Sequence, residues 1–168
     1  LDALDRLYAK DEDWDSLRDV LESAVRAGGD ETPATVNARL GEVFLDGFDD
    51  DTQALSHFER ALASDANSPK ALAGLRRIAD ASGDPDLLLD ICEREARDCR
   101  DATLMAELAK TALPILEERN EREEALEWAT RWSTVASESA AAFLKRAELE
   151  AALERPEAEV ESRRALAR

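Results

Sequence analysis

His57 is the one imidazole in the chain, and a general base needs a nucleophile or carboxylate within hydrogen-bond reach. No such partner is recognisable near it in sequence, so His57, beside Phe58, is expected to be a partly exposed helix residue. Cys92 and Cys99 lie seven residues apart; on an unbroken helix two turns of rise separate them by about 10 Å, too far for a disulfide. Neither belongs to a Cys-x-x-Cys pair with further ligands, so buried or idle thiols are expected. Asp46 and Asp49–Asp51 lack the alternating order and distal glutamate of a calcium loop, and read as a solvated turn leading into a helix. The six glycines are dispersed, which leaves no phosphate-cradling loop. Trp128 and Trp132, four apart on one helix face, could hold a ligand, but such a pair more commonly forms inter-helix core. No catalytic residue, metal site or cofactor is predicted.

The bulk properties narrow the partners. The 168 residues carry 39 acids and 22 bases, a formal charge of −17, of which −11 falls in residues 1–68 and −6 in 69–168. Nucleic-acid binding requires clustered Lys and Arg facing phosphates, so that class is excluded. At 44% hydrophobic and 36% charged residues, the composition is that of a folded domain rather than an acidic tail. No apolar run approaches 18 residues, the length of a membrane span, and no basic-then-apolar leader opens the chain, which favours the cytoplasm. Because the chain starts at Leu1 rather than Met and reaches Arg168 still in helical pattern, it is expected to be a segment of a larger, bacterial-type protein.

Apolar residues recur at spacings of three and four throughout, the period of amphipathic helices. The stripes begin with Leu4, Leu7 and Tyr8, then Leu17, Val20, Leu21, Ala24 and Val25. Later ones include Val36, Leu40, Val43 and Phe44; Leu72, Leu75 and Ile78; Trp128 and Trp132; Phe143 and Leu144; and Val160. Breaks carry helix punctuation. Gly28-Gly29 suits a helix end, while Thr32-Pro33, Ser68-Pro69 and Asp84-Pro85 each place a capping side chain before a first-turn proline. Asn120 with Glu123 reads as a variant capping box. About ten helices joined by short breaks account for the chain, with a kink expected at Pro114.

A run of short helices calls for a search for an internal period. Shifting residues 4–26 by 71 matches Leu4/Leu75, Arg6/Arg77, Asp13/Asp84, Asp15/Asp86, Leu17/Leu88, Asp19/Asp90, Glu22/Glu93 and Arg26/Arg97. Half that shift is close to the roughly 34-residue helix–turn–helix unit. The clearest unit, 34–68, has Leu40-Gly41 and Phe44 in its first helix and Ala54, Phe58 and Ala61 in its second. These residues resemble the tetratricopeptide repeat family, with Gly41 admitting a neighbouring helix and Phe44 and Phe58 filling the space between units. In the third unit Arg76 stands where the family's glycine would be.

The resemblance implies an all-α, right-handed α-solenoid of about five helix–turn–helix units (1–33, 34–68, 69–100, 101–136 and 137–168) forming one array. It further implies a concave groove lined by the first helix of each unit. The matching positions are Arg6, Lys10, Arg39, Glu42, Asp46, Lys70, Arg77, Asp80, Lys110 and Glu117. Bases are over-represented among them, which points to a mildly basic groove for an acidic peptide, to be tested by reversing Arg39 and Arg77. The two-lysine, asparagine-rich carboxylate clamp of the family's chaperone-binding members is not matched. The expected function is a non-catalytic interaction scaffold for a peptide or partner protein of unknown identity. The alternative is a structural or self-association module within a larger assembly.

Overall fold

The structure, a computed structural model, describes residues 13–27 and 31–165, and these form nine α-helices with no strand among them. They are α1 Trp14–Ala27, α2 Pro33–Gly47, α3 Asp51–Ser64, α4 Pro69–Ser82 and α5 Pro85–Ala96, then α6 Ala102–Glu118, α7 Arg122–Val135, α8 Ala140–Ala152 and α9 Pro156–Ala165. The stripe at Leu4–Tyr8 and the break at Gly28-Gly29 lie outside the described residues. Helix α6 continues across Pro114.

Local chemistry sets most of the boundaries. The Thr32 hydroxyl accepts from the Thr35 amide at 3.3 Å, and the Asp50 carboxylate accepts from Gln53 at 3.0 Å. Asp84 accepts from Asp86 and Leu87, and Asp101 from Thr103 and Leu104. Each cap satisfies amides that a helix start leaves without an intrahelical partner. Two expected caps turn out otherwise. Ser68 makes no side-chain cap bond and is buried. Asn120 does not start α7 but ends α6: it sits at φ 57°, its amide donating to Glu117 O, while Glu121 precedes α7. Asn is one of the few non-glycine residues that tolerate left-handed backbone, so it serves as a stop where the capping-box reading made it a start.

The chain divides into two compact units at Leu87/Leu88. In the first, α2 packs against α1, α3 and α4, and α3 packs against α4. Leu17, Leu21, Val36, Leu40 and Val43 form one core cluster, with Trp14, Phe44 and Phe48 against it. Deeper in this unit the fully buried Phe58 ring of α3 lies between Gly41 of α2 and Gly74 of α4. A Cβ at either glycine would fall within 3 Å of three Phe58 ring atoms. The glycine that meets the ring on α4 is therefore Gly74, two positions before Arg76, where the pattern expected a glycine.

In the second unit successive helices from α6 to α9 pack as neighbours. Its core joins Cys92 and Ala96 of α5 to Met105, Leu108, Ala112 and Leu116 of α6 and to Trp128 and Trp132 of α7. The tryptophan pair is core, as the commoner reading of its spacing expected. Three residues of the apolar stripes, Val25, Leu144 and Val160, are exposed instead. On α8 the buried face is carried by Ala142, Ala147 and Leu149, which leaves Leu144 turned outward.

Candidate functional site

The residues with catalytic potential are committed to structure. His57 is buried, 8% exposed, rather than partly exposed. Its Nδ1 lies 3.1 Å from Asn37 Oδ1, and its ring stacks on Phe44 with centroids 5.2 Å apart. The Asn37 amide nitrogen donates to Pro33 O at 2.8 Å, so its oxygen is the acceptor and His57 Nδ1 carries the proton. Burial lowers the imidazole pKa below its ordinary 6.5, Arg60 lowers it further, and Glu22 opposes them. The unfolded chain therefore takes up a proton below about pH 6.5 that the folded chain resists. Stability from this site is full above pH 6.5 and declines as pH falls toward the lowered value. Urea midpoints at pH 7 and pH 5.5 should show a drop in the wild type that His57→Gln reduces; an equal drop in both would refute the assignment.

Cys92 is buried, and neither cysteine takes part in a disulfide. Helix α5 ends at Ala96, so Cys99 lies beyond it, with its thiol donating to Asp101 O at 3.4 Å. Among the described residues no group of three metal-ligating side chains converges.

The expected groove residues fall in two places, apart from Arg6 and Lys10, which lie outside the described residues. In the first unit α2 and α4 present an ion-pair ladder: Lys70 Nζ donates to Glu42 at 3.1 Å and Arg77 Nη2 to Asp46 at 2.6 Å. Asp80 is exposed on α4. Arg39 is not on this open face; it is 7% exposed and donates to Glu31 at 2.7 Å. Reversing its charge would test the fold before any ligand. In the second unit Lys110 pairs with Glu107 at 2.6 Å, and Lys145 of α8 with Glu117 of α6 at 2.5 Å. Between α6 and α8 lies a notch formed by Leu113, Pro114, Trp132 and Leu144, and Leu144 is 50% exposed. Lys145 is the contact that sequence reasoning missed, because its pairing with Glu117 depends on the register of two helices.

A second surface of this unit is lined from α5, α7, α8 and the start of α9. Arg131 donates from Nη1 and Nη2 to the two Glu93 carboxylate oxygens at 3.0 and 2.7 Å, and lies 4.3 Å over the Trp128 ring. Arg155 donates to Glu123 at 2.7 Å and Arg146 to Glu150 at 2.8 Å. Glu93, Arg131 and Glu123 are separated by 30 or more residues from their partners, so no sequence motif announces this cleft.

No protein-family model and no curated protein matches the sequence. Among solved structures, MamA AMB-1 matches over 98% of this chain and 86% of its own, with 14% identity and a TM-score of 0.50. A crystal structure of MamA matches over 96% of this chain and 91% of its own, at 13% identity and a TM-score of 0.49. At such identity the likeness to MamA AMB-1 shows the fold alone, an all-helical repeat architecture. No described helix is long and apolar enough to cross a membrane.

Proposed function

We propose that this chain is a non-catalytic protein-interaction module of tetratricopeptide type. A peptide or partner protein docks on the α6/α8 face of the second unit, and the α2/α4 face of the first unit is a separate contact surface. The observation that carries the reading is the α6/α8 notch, where exposed Leu144 sits beside Pro114 and Trp132 and between Lys110 and Lys145. There an exposed leucine, with Lys110 and Lys145 lining the same notch, offers a ligand one apolar contact beside two cationic side chains. The Gly41–Phe58–Gly74 contact supports the repeat assignment, since it places successive first helices side by side.

Glu42, Lys70, Arg77, Asp80 and Lys110 are the contact residues of this proposal; Arg6 and Lys10 lie outside the described residues. Lys70, Arg77 and Lys110 already carry acids, so the ligand meets a mixed-charge face rather than the surplus of bases expected from sequence. Exposed pairs of this kind contribute little to stability, about 0–1 kcal/mol each.

A charge swap separates structure from recognition. Asp46→Arg combined with Arg77→Asp keeps an ion pair but reverses the surface. Stability should stay within about 0.5 kcal/mol of wild type, while affinity for a partner captured with the intact chain should fall at least tenfold. Leu144→Glu, at an exposed position, should abolish binding without lowering the melting temperature. A swap and a Leu144→Glu variant that both bind like wild type would remove this face from the function.

A further inference from the structure

The α5/α7/α9 side of the second unit carries unsatisfied chemistry that the proposed groove does not use. Five glutamates and three arginines line the cleft there. Each arginine is matched to one glutamate: Arg131 to Glu93, Arg155 to Glu123 and Arg146 to Glu150. Glu124 and Glu127 remain on the exposed face of α7, so the cleft keeps a negative surplus after every internal pair is made.

Two buried atoms sharpen this. The Glu150 side chain is 3% exposed; one oxygen accepts from Arg146 Nε, and the other, Oε2, has no hydrogen-bond partner. Trp128 is 1% exposed, and its indole N–H has no acceptor. An ionised carboxylate has about four acceptor sites, and a buried polar group without a partner carries a desolvation penalty. Both residues line the cleft, so a ligand that displaces the side chains covering them meets one acceptor for a cationic donor and one donor for an acceptor.

We propose that this cleft binds a basic peptide segment of a partner protein. A lysine or arginine side chain donates to Glu150 Oε2, a peptide carbonyl accepts from Trp128 Nε1–H, and Glu124 and Glu127 draw in the flanking positive charge. An ammonium or guanidinium group fits better than a metal ion, because no three ligating side chains converge among the described residues. A peptide fits better than a simple polyamine, which has no carbonyl for Trp128. The site shares helix α8 with the α6/α8 notch but none of its lining residues.

The test titrates the intact chain with three probes: a blocked hexapeptide of alternating arginine and glycine, its glutamate counterpart, and spermidine. The arginine peptide should bind and shift the Trp128 indole N–H resonance, the glutamate peptide should not bind, and spermidine should bind at least tenfold more weakly. Glu150→Gln should weaken the arginine peptide about tenfold. The exposed double change Glu124→Gln and Glu127→Gln, which leaves the core untouched, should weaken it several-fold and flatten its salt dependence. Asp49→Asn with Asp51→Asn, in the first unit, should leave it unchanged. Equal weakening by the first-unit variant, spermidine as tight as the peptide, or a static Trp128 resonance would reduce the effect to the chain's general negative field and overturn the proposal. Should Glu150→Gln fail to fold, the exposed double variant and the Trp128 resonance decide alone.

Discussion

Phe58→Ala should remove about 3–5 kcal/mol of stability, the range for truncating a fully buried aromatic ring. The reason is geometric as much as hydrophobic. The ring is flanked on two sides by backbone, at Gly41 of α2 and Gly74 of α4, and backbone relaxes into a void less readily than side chains. The converse change is informative too. Ala at position 74 improves helix propensity by about 1 kcal/mol, yet its methyl would occupy space the Phe58 ring already fills. Overpacking of this kind costs about 1–3 kcal/mol, so Gly74→Ala should destabilise despite its better propensity. Phe58→Leu with Gly74→Ala should lose less than the two single changes summed, because the smaller side chain makes room for the methyl. Urea unfolding followed by far-ultraviolet circular dichroism measures all four variants. Additive losses would mean that the ring and the glycine do not share one contact.

The second large effect is expected at Trp128. It is the largest fully buried side chain and a member of the second unit's core, so Trp128→Ala should also cost about 3–5 kcal/mol. Trp128→Phe is the diagnostic partner. It keeps most of the apolar ring and removes the indole N–H that has no acceptor, relieving a penalty of about 1–3 kcal/mol. Its loss should therefore be less than half that of the alanine variant. The Arg131 guanidinium above the ring is attracted less by phenylalanine than by tryptophan, which keeps the phenylalanine variant from being neutral. A phenylalanine variant as unstable as the alanine one would show that the N–H has a partner after all.

The helical architecture was legible because it rests on short-range order: three-and-four spacing, prolines at helix starts and acids before first turns all act within a few residues. The Gly41–Phe58 contact was legible for a related reason, since both fall in the repeat with the clearest signature. Its extension to Gly74 was not, because the small residue sits two positions from where the pattern placed it, and only the packed ring reveals which glycine meets it. Arg39 illustrates another limit. Its position matched the groove, but burial with Glu31 depends on how the segment before α2 lies against that helix. The Asn37–His57 pair, 20 residues apart, and the Glu93–Arg131 pair, 38 apart, need the relative rotation of two helices, which hydrophobic period leaves open by a turn or more.

The ion pairs between neighbouring helices share a word order. In Glu42–Lys70, Asp46–Arg77, Glu93–Arg131, Glu117–Lys145 and Glu123–Arg155 the acid always comes first and the base follows roughly one repeat later. Such seams have a direction, like the teeth of a zip. A repeat copied in tandem would meet its neighbours acid to base at both joints, whereas a repeat presented in reversed order would set like charges together. Within each compact unit this order gives an engineer the phase in which a new helix pair should be spliced so that its seams meet acid to base.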